Sequence, residues 1–162
     1  MRRRAFLSLI LIAAVAALPA AARDQAPLPV PRFVSFRAGK INLRSGPALN
    51  FPIQWVYQRK HMPVEVIAEY DTWRKIRDWQ GTVGWVHQSM LAGSRYALIT
   101  GAERTLRRDA AESAPPTARL MPGVIAEVLR CQGAWCRLNA DGHKGWLKRA
   151  EFYGVYPDEK VE

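Results

Sequence analysis

After its first thirty positions, the chain consists of short runs in which apolar and polar residues alternate. Residues 64–69 alternate in this way and are rich in β-branched side chains, and a second alternating stretch runs from Trp73 to Trp79. Successive side chains of a strand point to opposite faces, so a period of two predicts β-strands. Turn residues at 70–73 and 80–81 join these runs to a third strand, residues 82–87, and the series predicts antiparallel hairpins.

The same series returns later in the chain. Strands are predicted for residues 124–131, 135–138 and 144–147, with turns at 132–134 and 141–142. Outside the N-terminal segment, no window of a dozen residues keeps an apolar period of 3.6, which argues against long helices.

Four short motifs occur twice, in the same order, and each second copy stands 59 to 63 residues after the first. The pairs are Asn42-Leu43-Arg44 with Thr105-Leu106-Arg107, Met62-Pro63 with Met121-Pro122, Trp73–Ile76 with Trp135–Leu138, and Gly84-Trp85-Val86 with Gly145-Trp146-Leu147. A repeat of this kind indicates two tandem units, which we place at residues 32–92 and 95–156. Units of about 60 residues built from short strands favour small barrels, because a sandwich needs nearer 100 residues.

The first unit closely resembles the bacterial SH3-like (SH3b) domain. The resemblance rests on Ile41–Pro47 (INLRSGP), Met62–Val66, Thr72–Ile76 and the closing Thr82–His87 (TVGWVH). It implies an all-β protein of two tandem SH3-like β-barrels. The second unit keeps the central strand and Gly-Trp-Leu but has lost the Ser-Gly-Pro turn, so a binding surface is expected on the first unit, with the second as its support.

Only Gly93-Ser94-Arg95 separates the two units before the next apolar run begins at Tyr96. A linker this short predicts that the barrels pack against each other in a fixed orientation. Upstream, residues 23–31 form a proline-rich leader, for which we expect an extended polyproline-type conformation.

Residues 1–22 have the pattern of a secretory signal peptide. Arg2-Arg3-Arg4 precedes an apolar run at residues 6–18, and Ala20-Ala21-Ala22 provides small residues for cleavage. The run is too short for a spanning helix. We therefore expect an exported protein, periplasmic or extracellular, without stable membrane insertion after cleavage. Both the general secretory and the twin-arginine routes remain open.

The chain is strongly basic. It has 24 Lys+Arg against 14 Asp+Glu; three arginines lie in the signal segment, so 21 basic and 14 acidic residues leave a formal charge of +7 on residues 23–162. Such a charge attracts polyanions, and outside the cytoplasm these are anionic glycans, phosphate headgroups and acidic proteins, so nucleic acid is not an expected partner. The alternative is that scattered charge only maintains solubility.

Cys131 and Cys136 flank the predicted turn at 132–134. Opposite positions across a hairpin bring two sulfur atoms within bonding reach, and export favours oxidation, so we predict a disulfide. A pair of reduced, half-buried thiols is the alternative.

No arrangement of residues predicts catalysis, a cofactor or a metal. His61, His87 and His143 are isolated from one another, and the acids are spread one per strand or turn. We therefore expect no enzyme activity.

Aromatic side chains are the candidate binding residues. We interpret Trp85 and Trp146 as mainly core, since the preceding glycines permit close packing. Trp73 and Trp135 follow turns and alternate with cations, which predicts partial exposure, either for a ligand or at the seam between the barrels.

From these observations we expect a non-catalytic binding module that engages peptidoglycan or another cell-envelope component. The predicted contacts are Tyr70, Trp73 and Arg77 of the first unit and Trp135 of the second. The alternative is a protein-interaction or scaffold role in an envelope complex without glycan affinity.

Overall fold

The computed structural model describes residues 28–162. The predicted signal peptide, residues 1–22, and the start of the leader lie outside the described residues. The remainder is all-β, with two short 3-10 turns at Gln88–Met90 and Arg149–Glu151.

Seven strands form each of two sheets. The first contains β1 (Arg32–Phe36), β2 (Ile41–Arg44), β3 (Ile53–Tyr57), β4 (Pro63–Tyr70), β5 (Trp73–Arg77), β6 (Val83–His87) and β7 (Leu91–Ala92). The second contains β8 (Tyr96–Ile99), β9 (Arg104–Arg107), β10 (Pro116–Leu120), β11 (Ile125–Gln132), β12 (Trp135–Ala140), β13 (His143–Lys148) and β14 (Phe152–Tyr153).

The two sheets have the same topology. Their strand orders are β3-β2-β6-β5-β4-β1-β7 and β10-β9-β13-β12-β11-β8-β14, so each strand of the second corresponds to the strand seven places earlier. The tandem repeat expected from the motifs is therefore present in three dimensions. We expected closed barrels, but the sheets remain open. The edge strands do not pair with each other, neither β3 with β7 nor β10 with β14, and both β7 and β14 are only two residues long.

Each sheet curls around its own apolar core, because alternate residues of its strands face inward. The first core includes Leu43, Val64, Val66, Ile76 and Val86, all fully buried. The corresponding core of the second sheet includes Ile99, Leu106, Cys136, Leu138 and Leu147.

One glycine in each sheet permits a close crossing of two strands. A Cβ atom at Gly84 would lie 2.9 Å from the Arg44 carbonyl oxygen, and one at Gly145 would lie 2.9 Å from that of Arg107. The tryptophan that follows each glycine was interpreted as mainly core. Trp146 is buried, although it lies outside the core cluster of its sheet, and Trp85 is only half-buried.

The Cys131–Cys136 disulfide is present and closes the β11–β12 hairpin, where the two residues lie directly opposite each other. The C-terminal segment packs beside it: the Cys131 amide donates to the Val161 carbonyl at 2.8 Å, and the Val161 side chain is buried in the second core.

The two sheets pack directly on each other, as the short linker predicted. Phe33 of β1 contacts Tyr153 edge-on, with ring centroids 5.0 Å apart, and Tyr156 at 4.7 Å. On another part of the seam, the His61 and Tyr96 rings stack at 4.4 Å. These aromatic contacts cross between the units and form one part of the seam.

A buried carboxylate stands in the same seam. Glu65 on β4 is 6% exposed and receives the Arg77 guanidinium at 2.9 and 2.5 Å on one oxygen. Its other oxygen accepts the Tyr156 hydroxyl of the second unit at 2.5 Å. Burial, followed by this hydrogen bond, raises the pKa of the Tyr156 phenol above its ordinary value. The carboxylate therefore links the two units while each of its oxygens has a partner.

Candidate functional site between the two sheets

The predicted contact residues do not form one surface. Tyr70 is exposed, at 63%, and lies opposite Trp73 across the β4–β5 ladder. Arg77 is at the far end of β5, where it pairs with Glu65 at the seam. Trp135 belongs to the other sheet and is half-buried, with the Lys148 ammonium 5.6 Å from its ring centroid. Ligand binding by these four residues stays a prediction.

The expected exposure of Trp73 is wrong. Its side chain is only 7% exposed, because the indole packs edge-on against the His87 ring, its cross-strand neighbour, at 5.5 Å. Trp73 is part of the packing of the first sheet. A ligand could reach it only by displacing its neighbours.

A groove of about 420 Å³ lies between the two units, a volume within the roughly 300–1,000 Å³ range of ligand pockets. One wall comes from the first unit and the other from the second. The lining residues are Arg59, Met62, Trp79, Leu98, Ile99, Thr100, Gly101, Pro122 and Gly123. Junctions between domains are common places for ligand sites, and the apolar lining with a few polar groups fits that pattern.

Trp79 is the exposed aromatic residue of this groove. It remains 44% exposed although it lines the cavity, so one part of the indole faces solvent and another faces the groove. A large, flat and amphipathic side chain in this position provides a face on which a sugar ring or an apolar peptide group can stack.

The turn that carries Trp79 is held by Asp78. One Asp78 oxygen accepts from the Gln80 and Thr82 amides at 2.9 and 2.8 Å. The other accepts from the Tyr57 hydroxyl at 2.9 Å. Burial, with the hydrogen bond to Asp78 as the next cause, raises the pKa of the Tyr57 phenol. The buried carboxylate is therefore satisfied, and its hydrogen bonds hold the turn in place.

The opposite rim is fixed from the first unit. The Arg59 guanidinium donates to the Gly123 carbonyl oxygen of the second unit at 2.5 Å. Gly123 has a φ of +89°, a conformation that favours glycine, and this turn carries Pro122 into the groove wall. Arg59 thus adds a positive charge to an otherwise apolar site.

Sequence reasoning missed Trp79, because it was placed at the end of a strand. The available signal was the order Asp78-Trp79-Gln80-Gly81, an acid that can accept from following amides and a glycine for the positive φ of 88°. That order is typical of a side-chain-stabilised turn, which presents the residue inside it to solvent. The groove itself depends on the second unit and has no local sequence signal.

A larger cavity of about 560 Å³ lies beside the disulfide hairpin. It is lined by Cys131, Gly133, Ala134, Arg149, Pro157, Asp158, Glu159, Lys160 and Glu162. This lining is mostly charged and contains no aromatic residue, so the cavity offers no stacking surface.

Across residues 28–162, no group of three or more His, Cys, Asp or Glu side chains is close enough to hold a metal ion. The histidines have other contacts: His61 stacks on Tyr96, and Nδ1 of His87 lies 2.7 Å from the Ser89 hydroxyl. Within the same range, no helix has the length and apolar character needed to cross a membrane.

The fold defines a tandem all-β protein with two copies of one small domain. The model of the bacterial SH3 domain family matches residues 37–93 and 101–154, and these segments together cover more than half of the chain. The protein belongs to the bacterial SH3 domain family.

No curated protein matches the sequence. Among solved structures, it is similar to NlpC2 from Trichomonas vaginalis, with 11% identity, a TM-score of 0.35, and coverage of 80% of this chain and 49% of that one. NlpC1 from the same organism has 9% identity and a TM-score of 0.35, and the match covers 85% of this chain and 50% of that one. An NlpC/P60 family protein from Bacillus cereus has 10% identity and a TM-score of 0.35, with coverage of 80% and 58%. The chain spans about half the length of the first two, and likeness at this TM-score carries no argument.

Proposed function

We propose that this protein is an exported, non-catalytic binding module that engages peptidoglycan or another cell-envelope component through the groove beside Trp79. The observation that carries the proposal is the exposed indole, fixed by the Asp78 turn at the edge of an inter-unit groove. A preorganised aromatic face binds without the entropic cost of ordering a loop.

Three further observations support export and binding. Membership of the bacterial SH3 domain family fits a binding module, the N-terminal segment has the pattern of a signal peptide, and a disulfide fits an oxidising compartment. The cavity offers room for one or two sugar rings or a short peptide. These same features suit a protein that recognises its partner and leaves it chemically unchanged.

The test is sedimentation with insoluble peptidoglycan. We expect the wild-type protein to co-sediment and Trp79→Ala to lose most of the bound fraction. Trp55→Ala is the matched control, because Trp55 is also exposed, at 57%, but lies on edge strand β3 and does not line the groove. Binding that both variants retain, or that moderate salt abolishes for all three proteins, would contradict a specific site at Trp79.

A second candidate function is protein interaction without glycan affinity, and the edge strand β3 favours it. Ile53, Trp55 and Val56 are all exposed on a strand that pairs only with β2. The corresponding edge, β10, begins with Pro116 and carries Arg119, residues that discourage strand pairing. Capture of an envelope protein by wild type, lost on Trp55→Ala and kept on Trp79→Ala, would favour this alternative.

A further inference from the structure

A row of three arginines and one tryptophan crosses four strands of the second sheet. Arg130 of β11 lies opposite Arg137 of β12, Arg137 lies opposite Trp146 of β13, and Trp146 lies opposite Arg107 of β9. Neighbouring strands are about 4.8 Å apart, so the row spans roughly 14 Å. Arg107, Arg137 and Trp146 alternate along their strands with the core residues Leu106, Cys136, Leu138 and Leu147, and Arg130 precedes Cys131, which packs against the same core. The four side chains of the row therefore face away from the core.

The three guanidinium groups have no acidic partner within 4.0 Å among residues 28–162. Three carboxylates share a pocket with Arg107, and each of them pairs with another cation: Glu103 with Arg119, Glu112 with Lys148, and Glu151 with Arg104. Like charges directly opposite each other in a sheet are unfavourable, so the Arg130–Arg137 pairing costs stability. A sheet that keeps such a pair holds a concentrated positive potential at its surface.

The remaining contacts orient the row. The Arg130 guanidinium carbon lies 5.3 Å from the Trp146 ring centroid, and Arg107 donates to the Ala114 carbonyl oxygen at 3.0 Å. Trp146 itself is only 8% exposed. The indole thus serves as a base for the arginines and leaves no free aromatic face.

The first unit provides an internal comparison. Its equivalent row is Ala68, Lys75, Trp85 and Arg44. Arg44 is committed to the carbonyl oxygens of Leu49 and Phe51, at 3.0 and 2.7 Å. Arg107 of the second row is held in a similar way by the Ala114 carbonyl oxygen. The cations not held by a backbone carbonyl are therefore Lys75 in the first row and both Arg130 and Arg137 in the second. The concentration of charge is therefore specific to the second unit.

We propose that the row Arg107–Arg137–Arg130 binds a linear anionic glycan, a polysaccharide that bears carboxylate or phosphate groups. Planar guanidinium forks pair with these anions in bidentate fashion, and a row across strands suits an extended polymer better than a single ion. Single-stranded nucleic acid binding relies on free aromatic faces for the bases, and the row has none. The row and the Trp79 groove have no residue in common, so this site does not depend on the proposed function.

The test measures affinity for polygalacturonate and for phosphorylated dextran at low ionic strength, with neutral dextran and single-stranded DNA as further arms. We compare wild type with Arg130→Gln/Arg137→Gln and with the control Arg37→Gln/Lys40→Gln. The control removes the same charge from exposed positions of the first unit. Circular dichroism checks the fold of both variants. A third variant, Arg130→Lys/Arg137→Lys, retains the positive charge but lacks the planar guanidinium fork.

We expect the row variant to bind the anionic glycans about tenfold more weakly, the control to bind nearly as wild type, and the lysine variant to lie between them. The preferred polymer identifies the anion. An equal loss in the row variant and the control would overturn the proposal in favour of diffuse net charge. Wild-type protein that binds neither anionic glycan, or that binds DNA more tightly than both, would overturn it as well.

Discussion

The hydrogen bond between Tyr156 and Glu65 should contribute measurably to the joining of the two units. Tyr156→Phe removes the hydroxyl that reaches Glu65 at 2.5 Å but keeps the ring that packs on Phe33. The substitution therefore isolates one hydrogen bond in a seam that is otherwise unchanged.

The expected magnitude follows from the burial of the acceptor. A hydrogen bond to a charged group contributes about 1.5–3 kcal/mol, and Glu65 is nearly inaccessible to replacement water. The loss should not reach the roughly 3–5 kcal/mol of a broken buried ion pair, because Arg77 still holds the other oxygen. Tyr153→Phe is the control: its hydroxyl donates to a neutral carbonyl at 3.2 Å, a bond of about 0.5–1.5 kcal/mol.

Urea unfolding followed by circular dichroism measures both variants. Whichever unit unfolds first takes the seam with it, so the loss should be seen in the first, or only, transition. A loss for Tyr156→Phe below about 0.5 kcal/mol, or one equal to that of Tyr153→Phe, would refute the assignment of Glu65 as a buried link between the units.

Other expectations concern single structural features. Gly145→Ala should lower the free energy of unfolding by about 1–3 kcal/mol in urea titrations, because its Cβ would meet the Arg107 carbonyl oxygen; a neutral result would contradict the close crossing. Reduction of the disulfide should cost about 2 kcal/mol by loop entropy, and an unchanged thermal midpoint in reductant would argue against this. Burial opposes ionisation of Glu159, but hydrogen bonds from Arg95 and the Tyr156 amide outweigh it and lower the pKa of Glu159. A lowered pKa gives stability that is present above the ordinary value of 4.5 and falls as the solution is acidified below it, so the advantage of wild type over Glu159→Gln should disappear in a thermal-melt series at acidic pH.

The sequence predicted the central hairpins because they are local. Strands β4, β5 and β6, like β11, β12 and β13, follow one another through tight turns, so alternation and turn residues suffice to identify them. The duplication was predicted from the four motifs that occur twice in the same order. Edge strand β3 breaks the alternation at Val56, and β10 alternates over only five residues that begin with a proline. The pairing of both edge strands depends on the curl of the whole sheet.

The candidate site was predictable only in part. The prediction chose aromatic residues near cations, but exposure depends on the structural neighbours: His87 packs against Trp73, whereas the Asp78 turn holds Trp79 outward. The groove needs both units in their packed orientation, and no local pattern encodes contacts as distant as that between Arg59 and Gly123.

The most direct test of the account maps the ligand onto the protein by nuclear magnetic resonance, with soluble peptidoglycan fragments titrated into isotope-labelled protein. We predict that the largest shifts arise at the Trp79 indole N–H and at the backbone amides of Ile99, Thr100 and Gly123, which line the groove. Saturable shifts confined to β3, or binding of the fragments without any shift at the groove residues, would contradict binding in the groove beside Trp79.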